Sequence, residues 1–191
     1  MNSEDKSKRL WWFYILIFAI FLFPRLFDLG REGYGSDSQK WLRRSDEFIE
    51  RVSSGNLERS YVTYHPGVTV MWLSGVTKHF YYNYVKGVDG VNIKQTNGIV
   101  IPQYFESTLA VSKVPLILFI SILLTLSAII LNRMGLSKLH VVIFALMLSL
   151  EPFFLGVSTQ LHLTGLETAL AFSSIIFALY YQKTNNKKIL L

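Results

Sequence analysis

Leu10–Leu29, with WWFYILIFAIFLF at its heart, is an apolar run long enough to cross a bilayer, which takes about 20 such residues. No soluble core needs a segment like this at a chain start, so it constrains the fold more than any other feature. Trp11 and Trp12 stand where interfacial anchors belong. Lys6, Lys8 and Arg9 precede the run as in a signal peptide, but no small-residue cleavage site follows, so it reads as an uncleaved anchor. Arg25 and Asp28 lie one turn apart near its far end and could pair. The composition agrees: 51% of the 191 residues are hydrophobic and only 17% charged, against about one-quarter charged in soluble domains. This excludes a disordered chain, and the lack of Cys excludes a disulfide scaffold, a thiolate metal site and a cysteine nucleophile.

Three further spans are expected, over Leu109–Leu131, Leu139–Val157 and Gly165–Tyr181. Val68–Phe80 is a fifth apolar segment, but Thr77, Lys78 and His79 interrupt it after nine residues. It suits an interfacial or re-entrant helix. Charge decides the topology. With four spans, the N-terminal tail, the Asn132–Lys138 turn and the tail from Gln182 share one side. They hold eight basic residues against Glu4 and Asp5, which is the whole net charge of +6. A fifth span would move Arg133 and the Lys-rich tail outside, against the positive-inside rule. Both termini are therefore expected in the cytoplasm, and the basic surplus is a topology and anionic-lipid signal, not a nucleic-acid one.

The long first loop, Gly30–Thr108, then faces the exoplasmic side. Its stretch Lys86–Gly98 reads as a flexible part of that loop. In SQKWLRRSDEFIERV, Trp41, Ser45, Phe48, Ile49 and Val52 share one helical face, which predicts an amphipathic helix lying on the membrane. Asp37 opens that helix, and Ser36 and Gln39 have capping-box spacing. Two readings of Asp37 stay open. It is an acidic residue favoured by the helix dipole, or a partly desolvated carboxylate at the membrane surface acting as general base for a hydroxyl.

In TYHPGVTVMWLSG, Pro66 sits at a helix start, and the N–H groups of Gly67 and Val68 could hold a phosphate beside His65. The alternative is a plain turn with an interfacial imidazole. Lys113, Glu151, His162 and Glu167 all fall near the outer ends of spans or in the turn between them. They read either as a structural ion pair of Lys113 with Glu151 or Glu167, or as the lining of a polar cavity at membrane-surface depth. No metal is demanded. A divalent metal site could assemble from the His and carboxylate residues, although two His at helical ligand spacing are not present.

These segments together resemble the N-terminal part of the family 39-type, polyprenyl-phosphate-sugar-dependent glycosyltransferases of the GT-C membrane fold, relatives of protein O-mannosyltransferases and lipid A aminoarabinose transferases. The resemblance runs from about Phe23 to Tyr181 and is strongest in TYHPGVTVMWLSG. Gly-Tyr-Gly-Ser-Asp37 is similar to the family's acidic motif after the first span, and Ser112-Lys113-Val114-Pro115 to its Arg-Leu-Pro opening of the next. Leu150-Glu151-Pro152 and Gln160-Leu161-His162-Leu163 resemble its acidic-Pro segment and later His-Leu-Asp turn.

The resemblance implies an all-α integral membrane protein: a GT-C-like N-terminal module of four transmembrane helices, with a long exoplasmic first loop carrying juxtamembrane helices. It also implies that the chain is a fragment of a longer one, in a bacterial inner membrane or an ER-like membrane. Asp37 would be the general base that deprotonates a hydroxyl of an acceptor protein, lipid or glycan. That hydroxyl would then attack a polyprenyl-phosphate-linked sugar with inversion. His65 and Lys113 would hold the donor phosphate, and His162 would line the acceptor side. The chain departs from the pattern at Ser38, where the family has Glu, and at Thr164, where it has Asp, with Glu167 one turn on as a substitute. Lys113 stands where the family has Arg, keeping the charge without its fork of donors. The second expectation is thus a non-catalytic relative that binds carrier lipid or assembles with a partner subunit. A small transporter component is a weaker third.

Overall fold

The computed structural model describes residues 3–27, 29–30, 36–62, 67–85 and 102–184, and among them it is helical throughout, without a strand. Its α-helices are α1 (Ser3–Leu22), α2 (Ser36–Ser53), α3 (Val68–Phe80), α4 (Pro102–Arg133), α5 (Lys138–Ser149), α6 (Pro152–Thr159) and α7 (Leu163–Thr184). A 3-10 turn, Phe23–Leu26, continues α1, and a π-helical turn, Tyr81–Val85, continues α3. His65, Pro66 and the Lys86–Gly98 stretch lie outside the described residues. The chain divides into two compact units. One comprises Met1–Phe27, Leu118–Ser158 and Thr164–Leu191; the other comprises Asp28–Ile117 and Thr159–Leu163.

The first unit is an apolar bundle of α1, the second half of α4, α5, α6 and α7. Ile17, Phe21, Ile120, Leu124, Ala128, Val141, Ala145 and Ala169 are buried in it. Small polar residues let the helices approach and hydrogen-bond, as Ser127 does to Ser173 across α4 and α7 at 3.0 Å. One end of the bundle is well marked. Tyr14 of α1 donates to Asn132 at the end of α4, Lys138 at the start of α5 lies over the Phe13 ring, and Lys183 near the end of α7 donates to the Met134 carbonyl.

Among the described residues, two helices are long and apolar enough to cross a membrane, α4 over Phe105–Arg133 and α7 over Leu163–Thr184. α5 and α6 pass the same test together but are bent by 64°, so the number rises to three if that pair is one span. The span expected over Leu139–Val157 thus consists of two helices, α5 and α6, joined at this bend. Its interruption has a local cause. Pro152 has no N–H and disfavours a helical Glu151, and the Glu151 carboxylate accepts instead from the Phe153 and Phe154 N–H groups that open α6. The first span expected over Leu10–Leu29 is a shorter apolar helix and is not among these two or three, so four spans are not established. Its apolar helix runs from Leu10 to Leu26 and tightens into the 3-10 turn at Pro24.

The second unit is built on α2 packed against α3. Trp41, Leu42, Ser45 and Phe48 are buried on α2, facing Val70, Met71, Ser74 and Gly75 of α3. The aromatic face of α2, expected to lie on lipid, thus meets a protein helix. The outward apolar stripe belongs to α3 instead: Val68, Trp72, Val76 and Phe80, spaced four apart, are each more than 40% exposed. α4 contributes its first half. The carbonyl of Ser112, three residues before Pro115, accepts from the Ser74 hydroxyl at 2.9 Å, and Tyr82 pairs with Thr108 at 2.6 Å.

Candidate functional site

The second unit gathers the pieces that the sequence singled out, and Trp41 gathers them. It lies one turn after Asp37 on α2, is 3% exposed, and is held in part by the Ser45 hydroxyl donating to its carbonyl at 2.8 Å. Its ring lies directly against Gly67, the residue that caps α3 and follows His65-Pro66. A Cβ on Gly67 would sit 2.0 Å from the ring carbon Cη2, so only glycine fits. His162, in the turn before α7, meets the same ring edge-on at 6.1 Å between centroids. The Arg44 guanidinium covers it at 5.0 Å. Three separated stretches, those of Asp37, Gly67 and His162, therefore converge on one indole.

Asp37 is exposed in the first turn of α2, and Lys40 donates to its Oδ1 at 3.0 Å. That hydrogen bond and the Lys40 charge hold the Asp37 carboxyl below the ordinary carboxylate value. The charges of His162 and Arg44 act in the same direction, and a small desolvation opposes them. The carboxylate is thus ionised at neutral pH, and the ion pair holding it is open to solvent, where exchange for another hydrogen-bonding partner costs little.

Lys113 is in the same unit, buried at 3% exposure on α4, next to the Ser112 carbonyl that ties α4 to α3. Asp37, Lys113 and His162 are therefore members of one compact unit. Glu151 and Glu167 belong to the other. Glu151 is exposed and engaged in capping α6, and Glu167 is exposed on the second turn of α7. Among the described residues no three His, Asp or Glu side chains come together as a metal site would require.

Several residues that shape this region were not legible as such in the sequence. Trp41 reads as one more apolar position of an amphipathic helix, and Arg44 as part of its solvated face. Lys78 reads as the end of an apolar run, whereas it is buried and forms an ion pair with Asp46, whose side chain is only 9% exposed. The spacing of Asp46 on the polar side of α2 gives no hint of a partner 32 residues on; only the packing of α2 on α3 brings them together. No family model matches the chain, and neither a curated protein nor a solved structure matches it.

Proposed function

We propose that this chain is a membrane-embedded glycosyltransferase module that transfers a sugar from a polyprenyl-phosphate donor to a hydroxyl acceptor at the exoplasmic face, with Asp37 as general base. The observation that carries the reading is the convergence on Trp41 of the Asp37, Gly67 and His162 segments. These are three of the five stretches on which the resemblance rests, the others being those of Lys113 and Glu151. An exposed, ionised carboxylate beside an imidazole and a guanidinium suits the chemistry: the base takes the hydroxyl proton, and nearby cations favour the departing phosphate. Lys40 would yield Asp37 to the acceptor hydroxyl. Lys113 and His65 remain the candidate contacts of the donor phosphate. The GT-C-like fold, the inverting course and the carrier lipid all belong to this proposal.

Four crossings, with both termini cytoplasmic, fit the proposal best. The middle of α1 at Phe13 and Tyr14, the α4–α5 turn and the end of α7 lie together at one end of the first unit. If α7 crosses and returns to that end, α5 and α6 together must have covered the same thickness, bent or not. The shared end carries Arg133, Lys138 and Lys183, as the positive-inside rule requires of a cytoplasmic face. With the first loop exoplasmic, the exposed stripe of α3 would lie in the membrane interface.

The test is transfer in reconstituted membranes from a polyprenyl-phosphate sugar. Asp37→Asn is expected to reduce it by about a thousandfold, within the range typical of a lost general base, with membrane insertion unchanged. Full activity in that variant would remove Asp37 from the base role. Carrier-lipid binding without turnover by the native chain would favour the non-catalytic relative, a reading to which Ser38 and Thr164 point.

A further inference from the structure

Arg25 is the largest fully buried side chain among the described residues, at 0% exposure, and it lies in the apolar unit. The sequence suggests a pairing with Asp28, which lies outside the described residues; among those described, Arg25 has no carboxylate partner. Its partners are neutral. Nε donates to Ser158 Oγ at 2.9 Å, Nη1 donates to the Phe21 carbonyl at 2.7 Å and to Ser149 Oγ at 3.3 Å, and the guanidinium lies 5.1 Å over the Phe154 ring. Nη2 has no hydrogen-bond partner among the described residues.

The backbone explains why a cation belongs here. Pro24 lacks an N–H, so the Ile20 carbonyl four residues earlier has no helical donor; the Ser149 hydroxyl supplies one at 2.7 Å. Ser149 is also the last residue of α5, and Phe21 lies one residue from the end of α1. The C-terminus of α5, with an effective charge of about −0.5, therefore meets the Phe21 carbonyl and the proline-freed Ile20 carbonyl at this point. These partial negative charges offset part of the guanidinium charge. The same guanidinium bridges the bent pair, since Ser149 ends α5 while Phe154 and Ser158 belong to α6.

We propose that the junction of α1 and α5 is a cation site filled by the chain's own Arg25, and that this tethered cation holds the 64° bend between α5 and α6. Pro152 breaks the helix and Arg25 sets the angle. The site offers three acceptors, the Phe21 carbonyl and the Ser149 and Ser158 hydroxyls. It therefore needs a positive charge with three donors and does not need the guanidinium fork. A lysine ammonium satisfies that requirement, and a methionine of similar length does not. The proposal is independent of the transferase reading.

The absence of Cys makes the test clean. Spin labels on Leu139→Cys and Gly156→Cys, both exposed, report the bend in the full chain in lipid nanodiscs. At 1.5 Å rise per residue, straightening lengthens that distance by about 3 Å. Arg25→Met is expected to produce this lengthening, and Arg25→Lys to keep the native distance. A Met variant with the native distance would overturn the proposal, as would a Lys variant that lengthens as far as Met. Where the Met variant does not accumulate, Ser158→Ala decides, because it cuts one link to α6 and keeps the charge. A longer or broadened distance upholds the clamp, and an unchanged one overturns it.

Discussion

Each unit of this protein buries a cation, and the two do so by different means. In the unit of α2 and α3, Lys78 is neutralised by the Asp46 carboxylate. In the apolar bundle, the described partners of Arg25 are two hydroxyls and a carbonyl, one of the hydroxyls at the end of α5. A carboxylate partner suits a region whose outer face is charged and wet, where Arg43, Glu47, Glu50 and Arg51 surround it on α2. Inside an apolar bundle a second full charge would bring its own desolvation cost. Partial charges already fixed in the backbone bring none, because the helices carry them regardless. The difference also separates roles: the Lys78 pair holds α3 on α2 and thereby seats Gly67 on Trp41, whereas the Arg25 cluster shapes a helix break.

The comparison can be broken at its strongest point first. Gly67→Val would drive a side chain into the Trp41 ring, and is expected to destabilise the α2–α3 pair by about 3 kcal/mol. Faster hydrogen exchange should then appear in α2 and α3 while the apolar unit keeps its protection. Lys78→Met strands the Asp46 carboxylate at a cost of about 3 kcal/mol, and the double variant with Asp46→Leu is expected to recover most of it. A double variant no better than the single one would mean that the pair contributes attraction beyond its burial cost. Ser149→Ala removes the donor to Ile20 and an acceptor of Arg25, and should cost about 1–2 kcal/mol, read as loss of protection confined to α1 and α5. If Arg25→Met destabilised the chain more than Lys78→Met, the helix ends would be the stronger counter-charge and the comparison would invert.

The smallest effect concerns Asp37. Its carboxyl is depressed chiefly by Lys40, so the stabilisation it lends is complete at neutral pH and is lost as pH falls through its lowered value. Lys40→Met should move that loss to higher pH, toward the ordinary carboxylate value. A side-chain carboxyl NMR titration of Asp37 would record the shift, and an unmoved titration would mean that His162 and Arg44 dominate.

Much of the architecture was legible in residue order. The bounds of α3, Val68–Phe80, follow from an apolar run ended by Thr77, Lys78 and His79. α2 follows from its periodic aromatic face, and α4 and α7 from sustained hydropathy that local propensity does not oppose. The α5–α6 break was less legible, since a hydropathy window averages across Glu151-Pro152 although both residues announce an interruption. The convergence on Trp41 could not be read at all. An indole on an amphipathic helix looks the same whether lipid, another helix or a glycine backbone covers it.

The sequence by itself determined where the apolar helices lie, which loop carries the polar chemistry, and how the basic residues divide between ends of the chain. These properties are local or additive: hydropathy, periodicity and charge need no partner to be defined. Tertiary structure alone decided that α2 covers α3, that Asp46 meets Lys78, and that Gly67 and His162 share the aromatic ring of Trp41, one turn after Asp37. It also decided that Arg25 joins the Phe21 carbonyl to the hydroxyls of Ser149 and Ser158. Such pairings depend on which surfaces the packed helices bring within a few ångströms, and spacing along the chain carries no measure of that distance.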